Sequence, residues 1–211
     1  MKTPGGLRVA GVVPAAGASR RMGRPKGLLP LGEESFARRV VHALAAGGCA
    51  PTYVVVDADD DELAEELEDS GATILRNPDP GEGPITSLRL ALAELSPQMD
   101  GIVYLPLDHA LVEPRHVVEL LEAAAASEAS LALPIHRGKR GHPAYFGRSL
   151  FPELMDPELE GGARTVVHRH LGLACLLGTD DPAVITDIDT PEAYRDAREL
   201  FASGAGGEST P

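Results

Sequence analysis

The segment 8–26, RVAGVVPAAGASRRMGRPK, joins an apolar run to a small-residue loop and then to Arg20, Arg21, Arg24 and Lys26. Val9 to Val13 reads as a buried strand. Ala15, Ala16, Gly17, Ala18 and Ser19 follow, and such small residues let a backbone come close to a ligand. Successive N–H groups in a loop of this kind form an anion-binding concavity. The basic side chains then add point charge and forked hydrogen bonds to phosphate oxygens. The chemistry indicated is a polyphosphate cradle. An ordinary first turn with solvated basic residues after it would need no such crowding of cations directly behind small residues.

Acidic residues farther along could complete such a site. Asp108 follows an apolar run in YLPLDHALV. A carboxylate at the carboxyl end of a central strand is well placed for Mg²⁺, which takes one or two protein carboxylates together with substrate phosphates and water. The structural alternative is a cap before Pro114. His109 beside it is either a ligand contact or an exposed loop histidine. Asp187 and Asp189 flank Ile188 in ITDIDTPEAY, so at a strand end both side chains would point the same way; one of them could join Asp108, or both could be solvated turn residues. His142, between Gly141 and Pro143, could donate to an anion or act as an acid–base group. Arg164 and Thr165, at a helix start, offer an anion contact.

These residues need a frame that brings them together. Short apolar runs alternate with helical patterns throughout, the signature of βαβ units and a mostly parallel sheet. Strands are expected at 9–13, 53–56, 72–75, 101–105, 130–135, 142–146, 173–177 and 183–186. Helices are expected at 36–46, 60–70, 84–95, 114–126, 149–155, 162–171 and 190–202. In such sheets ligands bind outside the carboxyl ends of the strands, and the loop after the first strand, the segment 77–87 and Asp108 all fall there. The expected organisation is one domain over 1–202 with a disordered tail at 203–211.

Composition sets the outer limits. The chain has 211 residues, 43% hydrophobic, with no tryptophan and a net charge of −13. An acidic balance argues against a general nucleic-acid binder, since phosphate backbones demand basic surface. Cys49 and Cys175 show no metal-ligand spacing and read as reduced, buried thiols. No secretory pattern opens the chain, and no apolar run approaches the roughly 18 residues that span a bilayer. A cytoplasmic protein with no membrane contact is expected. A P-loop is absent, and the glycine after Gly17 is Gly23, so the first loop is not the dinucleotide fingerprint of a dehydrogenase.

The opening segment fits the pattern A-A-G-x-S-x-R-M-G-x-x-K through Ala15, Ala16, Gly17, Ser19, Arg21, Met22, Gly23 and Lys26. In this it resembles the MobA-like nucleotidyltransferases that act on the molybdenum cofactor. The resemblance continues in order through Asn77, Gly83 and Ser87, then Asp108, Gly141-His142-Pro143, and Asp187 to Glu192. The A-A-G start and the G-H-P segment look most like the cytidylyltransferase branch. The chain departs from the family at Leu107-Asp108-His109-Ala110, where G-D-M-P or C-D-x-P is usual.

The resemblance implies a three-layer α/β/α Rossmann-like fold and a Mg²⁺-dependent transfer of CMP from CTP to a phosphorylated acceptor, molybdopterin first. The amides from Ala15 to Arg21, Ala18 and Ser19 among them, would hold phosphates. Arg21 and Lys26 would offset charge on the α-phosphate and leaving group. Ala15, Ala16, Pro84 and Ser87 would lie near the base and ribose. Asp108, with Asp187 or Asp189, would hold the metal. His109, His142 and Pro143 would meet the acceptor, and the product would pass to a molybdoenzyme or its chaperone. A sugar phosphate as acceptor, or a non-catalytic chaperone-like carrier, are the alternatives.

Overall fold

The computed structural model describes residues 6–17 and 25–205. Its strands are β1 (Val9–Pro14), β2 (Pro30–Leu31), β3 (Glu34–Ser35), β4 (Thr52–Asp57), β5 (Thr73–Asn77), β6 (Gly101–Tyr104), β7 (Leu131–His136), β8 (Lys139–Arg140), β9 (Ala144–Gly147) and β10 (Cys175–Gly178). Its helices are α1 (Phe36–Ala46), α2 (Asp61–Glu66), α3 (Pro84–Ala93), α4 (Pro114–Ser127), α5 (Phe151–Leu154), α6 (Ala163–His170) and α7 (Pro191–Ala205).

The main sheet runs in the order β10-β7-β9-β6-β1-β4-β5, with β8 paired to β7. Pairing is parallel except around β9, which is antiparallel to β6 and β7, and at β8. β1 and the Val54–Val56 run of β4 are wholly apolar because parallel strands in the middle of a sheet are covered on both faces. Alternation along each strand divides the core in two. Val9, Val13, Val54, Val56 and Val103 pack with α1 and α4 residues such as Phe36, Val40, Leu44 and Leu120. Ala10, Val12, Val55 and Ile102 pack on the other face with Leu88 of α3, Leu154 of α5 and Val166 of α6. This is a three-layer α/β/α fold of Rossmann-like type.

Helix α1 shows how local signals set an element. Ser35 accepts from the Arg38 N–H at 3.2 Å as N-cap, the apolar positions line one face, and Gly47 stops the helix. Some expected elements differ. Residues 183–186 form no strand; Pro182–Ile185 is a 3₁₀ turn, because Asp181 accepts from the Ala183 N–H at 2.8 Å and Pro182 suits a first helical position. Strand β9 starts at Ala144, after His142. The acidic helix ends at Glu66, and the Ser70 hydroxyl bonds the Leu67 carbonyl beyond it. Helix α7 runs to Ala205, three residues past the expected boundary at 202. Among the described residues no helix is long and apolar enough to cross a membrane.

The chain adds β4 and β5 on one side of β1, then returns to add β6 on the other. Such a reversal opens a crevice at the carboxyl ends of the two strands flanking it, here β1 and β6.

Candidate active site

Two short 3₁₀ turns deliver the site's charges into that crevice. Lys26–Leu28 follows β1 by way of the opening loop, and Leu107–His109 follows β6. The third contributor is the irregular stretch 187–189. It is no strand end; Ile188 is fully buried and its N–H donates to the Asp108 carbonyl at 3.0 Å. Burying the middle residue turns Asp187 and Asp189 together toward Asp108. Carboxylate oxygens of Asp108, Asp187 and Asp189 lie within 4.8 Å of one another.

Like charges this close oppose ionisation. The Asp187 carboxyl is pushed up to about 6, by partial burial first and then by the charges of Asp108 and Asp189, with Lys26 acting the other way. The Lys26 ammonium, 11% exposed, pairs with Asp189 and lies 3.9 Å from Asp108 Oδ2. Asp108 Oδ1 is buried with no hydrogen-bond partner among the described residues. A buried anionic oxygen without a donor is costly. Three convergent carboxylates, one with an unused oxygen, are the hard oxygen donor set that suits a divalent cation such as Mg²⁺ or Mn²⁺. The two later aspartates thus join Asp108 together, where the sequence suggested one or the other.

The rest of the sequence-derived set is distributed unevenly. Ala18, Ser19, Arg20, Arg21, Met22, Gly23 and Arg24 lie outside the described residues. The Ala15 N–H donates to the Val55 carbonyl at 2.8 Å and the Gly17 N–H to Asp57 Oδ2 at 3.3 Å. Both amides are engaged, so neither is open to a phosphate as expected. Ser87 is fully buried and accepts from Asn77 Nδ2 at 3.1 Å, so it stands behind the crevice rather than lining it. Asn77, 2% exposed, also bonds Thr86 and the Asp79 N–H, fixing the start of α3. Gly83, at φ 87°, makes that start possible, since side chains rarely adopt this region.

Pro84 and Ile85 open onto a second space, a cleft of about 710 Å³ beside the crevice. Its walls include Leu133, Phe146, Leu159 and Val167, with Arg140 and Arg164 on its rim. His142 lines this cleft, whereas Pro143 is buried and takes no part in its wall. His109 is 8% exposed and lies against His142, ring centroids 4.4 Å apart and planes tilted by 48°. Burial lowers His109 to about 4, helped by Lys26, and lowers His142 to about 3, helped by His109. Both rings are therefore uncharged at neutral pH and form no cationic contact for an anionic group. Thr165 is occupied, its hydroxyl donating to the Glu160 carbonyl at 2.7 Å.

Gly141 is needed for close approach. Its N–H bonds the Pro134 carbonyl at 2.9 Å, and a Cβ there would lie 2.1 Å from the Val184 carbonyl oxygen. That same oxygen accepts the His142 N–H at 2.7 Å, tying the histidine turn to the segment that leads to Asp187. Gly141→Ala is expected to destabilise the fold by about 3 kcal/mol, the upper range for overpacking against immobile atoms. A thermal melt would show this as a Tm lowered by roughly 6–12 °C. An unchanged Tm would mean that the two segments separate freely.

One neighbour of the opening loop, Asp57, escaped the sequence reading. Asp57 ends β4 as Asp108 follows β6, and the same cue, a carboxylate after a buried strand, applied to it. Cys49 is buried and its thiol is pushed up to about 12 by burial, while Cys175 is only partly buried; neither is near the carboxylates in a ligand set.

A crevice at the reversal point of an α/β sheet, with a lysine against three carboxylates, has the charged groups to take an anionic ligand together with a divalent cation. Residues 11–174 match the MobA-like NTP transferase domain, and the chain belongs to that family of nucleotidyltransferases. It is 30% identical to the purine catabolism protein PucB of Bacillus subtilis, covering 91% of this chain and 97% of that one. It is 28% identical to a probable molybdenum cofactor guanylyltransferase of Mycobacterium avium (76% and 79% covered) and 24% identical to the molybdenum cofactor cytidylyltransferase of Escherichia coli (90% and 95%). The fold matches the crystal structure of Rv0371c from Mycobacterium tuberculosis with TM-score 0.80 at 26% identity, over 91% of this chain and 98% of that one. A manganese complex of Rv0371c matches with TM-score 0.76 at 25% identity, over the same shares.

Proposed function

We propose that this nucleotidyltransferase uses a divalent cation, Mg²⁺ in the cell, to move CMP from CTP onto the phosphate of a molybdopterin-type acceptor. The observation that carries the reading is the Asp108–Asp187–Asp189 cluster against Lys26, with an oxygen on Asp108 that no described residue bonds. Phosphoryl-type transfers need positioning and charge neutralisation more than a covalent nucleophile, and this cluster supplies both. The manganese complex of Rv0371c supports a divalent cation in this fold.

In the proposed reaction an acceptor phosphate oxygen attacks the α-phosphorus of the nucleotide. A new P–O–P linkage forms, the bond from the α-phosphorus to the bridging oxygen breaks, and pyrophosphate leaves with the electron pair. The attacking phosphate is already anionic, so no protein base is required. Asp108, with Asp187 and Asp189, would hold the cation, which would neutralise charge on the triphosphate. Lys26, released from Asp189 once the carboxylates are engaged, would stabilise charge gathering on the α-phosphate and leaving group. Arg21 would do the same from the opening loop.

The acceptor would occupy the 710 Å³ cleft beside the crevice. Its apolar walls favour a fused-ring body over a sugar phosphate, whose buried hydroxyls would lack partners. Arg140 and Arg164 suit peripheral anionic groups, and His142 an uncharged face. The choice of cytosine follows the A-A-G and G-H-P segments, which look most like the cytidylyltransferase branch. Transfer of the product to a molybdoenzyme or its chaperone would follow.

Calorimetry with CTP, GTP and ATP, each with and without Mg²⁺, tests the reading. Magnesium-dependent binding of CTP in preference to the others is expected, followed by pyrophosphate release when molybdopterin is supplied. Preference for GTP would move the chain to the guanylyl branch, and release with a sugar phosphate alone would replace the acceptor.

A further inference from the structure

The stretch bearing Asp187 and Asp189 has no ladder of sheet hydrogen bonds to hold it. Besides the Lys26–Asp189 pair and the burial of Val184 and Ile188, hydrogen bonds anchor it. Ile188 is pinned to the Asp108 carbonyl, Val184 to the His142 N–H, and the start of the segment to helix α4 through Asp181. Oδ1 of Asp181 accepts from the Ala183 N–H at 2.8 Å and so winds the 3₁₀ turn. Oδ2 meets Nε2 of His116, whose side chain is 2% exposed, at 3.0 Å. Arg115 also reaches Oδ2, but it is more than half exposed and adds little.

The orientation of His116 is set from its other side. The Glu113 N–H, at the start of α4, donates to His116 Nδ1 at 3.0 Å. With Nδ1 accepting, the ring proton sits on Nε2 and donates to Asp181. The imidazole thus bridges a helix terminus to the turn that precedes the aspartates, and neither partner is in the carboxylate cluster.

We propose that His116 and Asp181 are positioning residues, which hold the 181–189 segment so that Asp187 and Asp189 converge on Asp108. The inference rests on reading that cluster as a divalent-cation site. Groups that orient metal ligands from behind typically change affinity by about 10- to 100-fold when removed. Asp181→Asn is a sharp probe because it keeps the volume. Its Oδ1 can still take the Ala183 N–H, but its amide N–H₂ then faces the Nε2–H, donor against donor. The ring cannot switch tautomer without opposing the Glu113 N–H. His116→Gln is the conservative counterpart, since its amide N–H reaches the position of Nε2–H.

The experiment is Mn²⁺ binding to the full chain without nucleotide, followed by the electron paramagnetic resonance signal of free Mn²⁺, with Tm measured alongside. The expected result is affinity about 10-fold weaker in His116→Ala and Asp181→Asn, with His116→Gln restored to near the wild-type value. Wild-type Mn²⁺ affinity in both His116→Ala and Asp181→Asn, whatever their Tm, would overturn the proposal by showing that the pair only supports the fold. If His116→Ala does not fold, Asp181→Asn against His116→Gln decides alone. Absence of Mn²⁺ binding by the wild type would overturn the cation-site reading and this one with it, an outcome distinct from intact wild-type binding with unaffected variants.

Discussion

Asp108→Asn is expected to lower kcat/KM by about a thousandfold, as several kcal/mol of charge stabilisation are lost with the cation. The substitution preserves shape, and the Asp108 carbonyl that holds Ile188 is untouched. What changes is the oxygen pair. One oxygen is buried without a hydrogen-bond partner among the described residues and the other lies 3.9 Å from Lys26. An amide puts a donor where either a cation or an ammonium should sit. Stability should move the other way. Asp108 is one of the charges that push Asp187 upward, so removing it relieves repulsion in the metal-free protein. The expected signature is a metal-free Tm no lower than wild type, a large fall in activity, and a Mg²⁺ half-saturation shifted upward. An unchanged Mg²⁺ titration with full activity would transfer the cation to other carboxylates.

Lys26→Ala carries the second large effect, and its two readouts diverge. Without a bound cation, Lys26 is the counter-ion of the cluster, paired to Asp189 and close to Asp108. It therefore competes with any cation for the same carboxylates. Its removal should tighten Mg²⁺ or Mn²⁺ binding to the nucleotide-free protein. The same change should lower kcat by about 10²- to 10³-fold, the usual effect of losing one preorganised charge donor in the transition state. KM for the nucleotide should rise much less, because the interaction strengthens as charge gathers on the leaving group. Steady-state kinetics and a direct cation titration on one preparation check both. A normal kcat would remove Lys26 from the chemistry and leave it as a structural counter-ion.

The central fold was legible in the sequence because its signals are local. Apolar runs at 9–13, 53–56 and 101–105 can only be buried strands when polar residues and turns bound them, and Ser35 and Gly47 mark the ends of α1 within a residue. The clearest miss came where a side-chain hydrogen bond competes with the backbone pattern. Residues 183–186 look like a strand by apolarity, yet Asp181 and Pro182 wind them into a 3₁₀ turn.

The site divides along the same line. The sequence by itself singled out the groups that the proposed function uses: a small-residue loop ending at Lys26, and carboxylates at 108, 187 and 189. Residue type and neighbours suffice for that, since a carboxylate after a buried strand is conspicuous wherever the strand goes. Tertiary structure decided which groups meet and which are spent. It brought both Asp187 and Asp189 to Asp108 by burying Ile188 between them, and it set Lys26 as their counter-ion. It also committed the Ala15 and Gly17 amides to Val55 and Asp57, turned Ser87 toward Asn77, and made His109 and His142 uncharged by burial. Hydrogen-bond partners and desolvation depend on residues tens of positions away in the chain, and no local pattern encodes them.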